Sequence, residues 1–125
     1  MKDVVTLAAR RKMAQARKGE IALPVIAGIA IGNGAVDGSG SLILPEETDT
    51  QLKNELIRRE YARCEKLSDV CYRYRMELGA DELAGKRINE AALYDAEGDL
   101  LAIRVFSDKI KDMDMEMVFE YEDRF

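Results

Sequence analysis

The chain is expected to be an α+β protein, an antiparallel β-sheet or sandwich with an N-terminal helix and one short internal helix. Three observations predict this. Thr6 to Lys18 lacks Gly and Pro and is rich in Ala, Arg, Lys, Met and Gln, which favour helix. Val70 to Leu78 and Met113 to Glu122 alternate apolar with polar residues at the period of a half-buried strand. Two apolar runs, Ile88 to Tyr94 and Leu100 to Phe106, flank Asp95-Ala96-Glu97-Gly98, the composition of a hairpin turn. At 125 residues the chain suits one domain, 1–125, with a helix over about 4–18 and a β-rich remainder.

Asp3 is the expected cap of the first helix and Gly19 its stop. Leu7, Ala8, Ala14 and the stem of Arg11 are expected to share its inner face. The apolar, β-branched run 21–31 follows a basic stretch and imitates a signal peptide. It is too short to cross a bilayer and reads as a strand covered on both faces, with Pro24 at an edge or bulge. Gly32-Asn33-Gly34 marks a turn, and Gly and Ser residues loosen the loop through Ser41. Leu42-Ile43-Leu44 is a short apolar return closed by Pro45. Thr48 and Asp49 are candidate caps of the internal helix, which carries Leu52, Leu56 and Ile57. Residues 58–66 read either as the hairpin partner of 70–78 or as a continuation of that helix, and 79–85 and 107–112 read as loops. In the last strand Met113, Met115, Met117, Phe119 and Tyr121 fall on one face, either as core or as a subunit interface.

The composition narrows the chemistry. There is no histidine, which removes the most frequent general base and the commonest metal ligand. Cys64 and Cys71 are too few for a zinc site, and as a cross-strand thiol pair they lack the Cys-x-x-Cys spacing of redox motifs. Asp108, Asp112, Asp114 and Glu116 do not match a calcium loop, and Lys109 and Lys111 interrupt them. The Gly-rich loop 32–40 runs into Leu42-Ile43-Leu44-Pro45, not into the helix N-terminus that phosphate binding requires. No catalytic residue, metal ligand or cofactor-binding residue is therefore expected. The net charge of -5 disfavours nucleic acid and anionic membrane as partners. Six cations against two acids in residues 1–20, and ten acids against four cations in 95–125, suggest a basic end meeting an acidic end within one subunit or between neighbours.

The stretch Ile88-Asn89-Glu90-Ala91-Ala92-Leu93-Tyr94-Asp95-Ala96-Glu97-Gly98-Asp99-Leu100 resembles the signature (I)-x-E-(I)-G-L-(Y/F)-D-x-x-G-x-L of the N-terminal domains of phage tail-collar fibre proteins. Upstream, Ala27-Gly28-Ile29-Ala30-Ile31-Gly32-Asn33-Gly34 is similar to that family's I-A-I-G-D-G turn, with Asn33 for the usual Asp. Leu52 to Arg58 resembles its L-x-x-E-(L/V)-x-R element. The N-terminal helix and these blocks fall in the family's order over residues 5–106. Ala92 stands where the family has Gly, and no fibre shaft follows before Phe125, which leaves a free-standing tail or baseplate component or a truncated relative open.

The resemblance implies a non-enzymatic structural protein of a phage or prophage tail, assembled in the bacterial cytoplasm into the virion. Its implied partners are other tail or baseplate proteins and copies of itself, with a trimer favoured. A small bacterial partner- or ligand-binding module unrelated to a tail is the alternative. The residues expected to matter for structure and assembly are Gly32, Gly34, Glu90, Asp95, Gly98, Met113, Met115 and Met117. Glu90, in an otherwise apolar strand, needs partners, with the N–H groups of the Gly32 to Gly34 turn or Arg58 as candidates.

Overall fold

The computed structural model describes residues 2–125. Its elements in order are β1 (Lys2–Val5), α1 (Leu7–Lys18), β2 (Ile26–Gly32), β3 (Glu55–Glu60), β4 (Arg63–Ser68), β5 (Cys71–Leu78), β6 (Arg87–Asp95), β7 (Leu100–Ile110) and β8 (Met117–Arg124). The strands form an antiparallel five-stranded sheet, β1-β7-β6-β2-β3, and a three-stranded sheet, β4-β5-β8. The fold class is α+β, two antiparallel sheets with an N-terminal helix.

Strand β6 is central. Every residue after Arg87 in it is buried, as a strand flanked by two neighbours and covered on both faces must be. Its alternation divides the core. Ile29, Ile31, Ala91 and Leu93 face the smaller sheet and pack with Met76, Leu78 and Tyr121. Ala30, Ala92, Tyr94, Leu100 and Ile103 face the opposite way, beneath Leu52. Ala92 keeps its methyl group in this second cluster, in register with Ala30 of β2 and Ile103 of β7. Full burial of a side chain such as Leu93 contributes roughly 1.5–3 kcal/mol.

The helix begins later than expected. Val4 and Val5, β-branched and suited to strands, pair with Ile103 and Ala102 of β7, so residues 2–5 form β1. Thr6, not Asp3, is the cap. Its Oγ1 accepts from the Ala9 N–H (3.1 Å) and donates to the Leu100 carbonyl (2.7 Å), fixing the helix to β7. Gly19 ends the helix at φ 90°, with its N–H on the Ala16 carbonyl and that of Glu20 on the Gln15 carbonyl. The inner positions are Ala9, Lys12 and Ala16, and Arg11 and Ala14 are exposed.

Four other expectations are corrected. No internal helix forms: Glu46 to Asp49 is a turn in which the Asp49 carboxylate accepts from the Glu46 N–H, and Glu55–Glu60 is strand β3 beside β2. The pairing that β2 requires on its open side overrides the local helical preference. Strand β2 starts at Ile26, so residues 21–25, Pro24 included, precede it, and Leu23 and Val25 are exposed. In the hairpin β4–β5, Cys64 lies opposite Tyr74 and Cys71 opposite Ser68, so the two thiols do not face one another. Strand β7 runs on through Ile110, past the expected loop at 107.

Candidate assembly site

The turn after β2 is held by consecutive side chains of β6. Glu90 is 1% exposed. Its Oε2 accepts from the N–H groups of Gly34 (2.9 Å) and Asn54 (2.8 Å), and its Oε1 from that of Lys53 (2.8 Å). Three backbone donors thus serve one carboxylate. Arg58, the other candidate partner, binds the Glu55 carboxylate through two nitrogens, donates to the Gly98 carbonyl (2.7 Å) and lies 4.7 Å over the Tyr94 ring. Asn89, also buried, accepts from the Ala35 N–H (3.0 Å) and donates to the Asn33 carbonyl and the Asp108 carboxylate. The pairing of β6 with β7 shifts register between Ile88 and Glu90. Such a bulge re-aims side chains, and here both neighbours reach the turn.

The glycines of the turn are needed for space. A Cβ on Gly32 would collide with the Asn54 carbonyl and stand 2.6 Å from Glu90 Oε2, and one on Gly34 would stand 2.6 Å from the Asn54 nitrogen. The backbone of 53–54 can approach the carboxylate only because these side chains are absent.

At the other end of β6 the hairpin is closed by Asp95, also buried. Its Oδ1 accepts from the N–H groups of Glu97 (3.1 Å) and Asp99 (3.0 Å), and its Oδ2 binds Lys12 Nζ at 2.7 Å. Gly98 takes φ 89° in this turn. Lys12, 14% exposed at its side chain, also binds Asp99 at 2.7 Å. Burial works to lower the Lys12 pKa, but the hydrogen bonds the ammonium donates to Asp95 and Asp99 outweigh it and hold it above the ordinary lysine range. The basic helix and the acidic third of the chain therefore meet inside one subunit at this point.

The methionines separate. Met117 opens β8 and packs on the core between the sheets. Met113 and Met115 are not in the strand: they sit in the turn before it, 70% and 59% exposed, with Asp114 at φ 61°. Beside that turn, β7 and β8 border an open cavity of about 430 Å³ lined by Ile29, Phe106, Met117 and Phe119, with the cations Arg104 and Lys109 also on its wall.

Two other polar residues, Lys111 buried and Glu82 partly buried, carried no sequence signal. Lys111 is 1% exposed, and its ammonium donates to the carbonyls of Ala80 (2.9 Å) and Asp112 (3.1 Å). Glu82 accepts from Arg59 (2.8 Å at Oε1) and from the Gly79 N–H (2.8 Å), and the Arg59 guanidinium, followed by that N–H, brings its pKa down to about 2. The acid-cation alternation around them reads as solvated surface, so only the close of the 79–86 turn on β7 reveals their role. No protein-family model, curated protein or solved structure matches the chain.

Proposed function

We propose that the chain is a non-enzymatic structural component of a phage or prophage tail, of the tail-fibre or baseplate attachment type. It works by self-association, with a trimer favoured, and by docking on other tail proteins. The observation that carries this reading is the Glu90 carboxylate. The three blocks that resemble tail-collar fibre domains, Ala27 to Gly34, Leu52 to Arg58 and Ile88 to Leu100, are far apart in sequence. Strands β3, β2 and β6 lie side by side in one sheet, and Glu90 of the third block binds N–H groups of the first two. The residues on which the resemblance rests thus cooperate in one structural unit, which gives their order and spacing a common physical cause.

The test is incorporation. In the bacterium that encodes the chain, a tagged copy is followed through induction and gradient sedimentation. Sedimentation with tail particles, lost when the Glu90 unit is disrupted by Gly34→Val, is the expected result. A tagged chain that remains at the top of the gradient while tails form would overturn it and favour the small partner-binding module.

A further inference from the structure

The two sheets are unequal. A sheet of three strands faces a sheet of five, and the outer edge of β8 has no strand beside it among the described residues. Along that edge lies the cavity between β7 and β8. Its walls are Ile29, Phe106, Met117 and Phe119, and its cations are Arg104 and Lys109. Arg104 stacks 4.4 Å over the Tyr121 ring and reaches Asp3 at 3.4 Å, yet its Nε has no hydrogen-bond partner. Tyr121, only 4% exposed, has an unpartnered hydroxyl. These are two buried polar atoms on residues of the cleft wall that the chain itself leaves without a partner. The one acid on the cavity wall, Glu120, is within 3.4 Å of Arg73 on the outer face.

The same end of the molecule carries a segment of opposite character. Asp112-Met113-Asp114-Met115-Glu116 holds three acids, no cation and two exposed methionines. Methionine is suited to an aromatic-lined gap, since its thioether packs favourably against ring edges and adapts to irregular walls. The carboxylates match Arg104 and Lys109 in charge. The segment cannot serve as its own occupant, because it leads directly into the β8 wall of the cavity.

We propose that the cleft between β7 and β8 receives the acidic, methionine-bearing segment Asp112 to Glu116 of a second copy of this chain. This rests on the self-associating tail reading above and supplies its contact. Donor segment and acceptor cleft are different patches, so the contact is heterologous and closes as a ring when the rotation between copies permits. Met113 and Met115 fill the apolar floor, and the acids engage the cations.

Sedimentation equilibrium tests this, with circular dichroism as the check on folding. Wild-type chain is expected to form a closed oligomer. The double variant Met113→Ser, Met115→Ser changes only exposed residues and is expected to keep the fold while weakening association at least about tenfold, the loss typical of interface anchors. Lys109→Glu and Asp114→Lys should each weaken association, and the two together should recover most of it. That recovery would not follow if either residue acted only on its own fold. A wild-type chain that stays monomeric, or one whose association ignores Met113 and Met115, overturns the proposal and leaves the cleft to a different protein. The two readings fail separately. A chain that enters tail particles but associates independently of this segment ends the present inference alone. One that associates through segment and cleft yet never enters particles ends the tail reading alone.

Discussion

The two ends of the β6–β7 pair treat their polar groups differently from the cleft beside β8. Around Glu90 and Asp95 each buried carboxylate has three partners, supplied by backbone N–H groups or by Lys12. Beside β8 the Arg104 Nε and the Tyr121 hydroxyl are buried without partners, and Met113 and Met115 lie in water. Polar groups satisfied within one chain specify its fold. Polar groups left unsatisfied, next to apolar surface, are where the self-association proposed above would act. The first region satisfies its buried polar groups within the single chain, and the second leaves two of them without partners.

The largest expected effect falls on the first region. Glu90→Ala leaves the N–H groups of Gly34, Lys53 and Asn54 without their acceptor and is expected to lower stability by about 2–4 kcal/mol. Glu90→Gln keeps one carbonyl acceptor but turns an amide toward a donor, so it should recover only part of the loss. Chemical denaturation of both variants checks the order. If Glu90→Ala unfolds with the parent, the carboxylate is not what joins the three blocks.

Next comes Lys12. Lys12→Met keeps the aliphatic stem and removes the charge facing the buried Asp95, which should cost roughly 1–3 kcal/mol, below a fully buried pair because Asp99 is half exposed. The pH dependence has a defined sign. The folded-state pKa of Lys12 is raised, so its contribution is complete below the ordinary value of 10.5 and declines as pH rises above it. Alkaline titration of stability should therefore show a steeper fall in the parent than in Lys12→Met, and parallel curves would remove the ion pair from the account.

Glu82 gives a local effect in acid. Its pKa lies below the ordinary 4.5, at about 2, so the contact with Arg59 and Gly79 contributes fully above the ordinary value and is lost as pH falls toward 2. The 79–85 turn should loosen in that interval. The amide chemical shift of Gly79, followed through the titration, checks this. A Gly79 signal that is flat down to pH 2 would contradict the assignment.

Much of the first region could be read from the sequence. The hairpin 88–106 announces itself by apolar runs around Asp95 to Gly98, and a glutamate among Ala91, Ala92 and Leu93 demands partners of the kind that the Gly34 N–H supplies. What could not be read depends on pairing between distant segments. Lys2–Val5 is too short to signal a strand, and only β7 makes it one. Glu55–Glu60 carries charges at helical spacing, and only the open side of β2 makes it a strand. Met113 to Met117 alternates like a strand, but the eight residue pairs that join β5 to β8 begin at Met117, so the first two methionines are left in a turn. The burial of Lys111 follows from the carbonyl of Ala80 arriving beside it, a contact no local pattern encodes.

The smallest effect on the single chain is expected at Tyr121, and it separates the two regions most directly. Its ring packs in the core and against Arg104, while burial holds its phenol well above the ordinary range and its hydroxyl has no partner. Tyr121→Phe keeps the ring and deletes a buried polar atom that makes no bond. Removing such a group is neutral or mildly stabilising, within about 1 kcal/mol. Deleting the polar atoms of Glu90, by contrast, strips partners from bonds that exist. Measured by thermal unfolding at concentrations where the chain is monomeric, Tyr121→Phe should match or exceed the parent. Measured at concentrations where it associates, the same variant should bind its own copies more weakly, because Tyr121 lines the cleft proposed to receive a second copy. A clear loss of monomer stability would mean that the hydroxyl is satisfied within the chain, and the contrast between the two regions would then fail at its most exposed point.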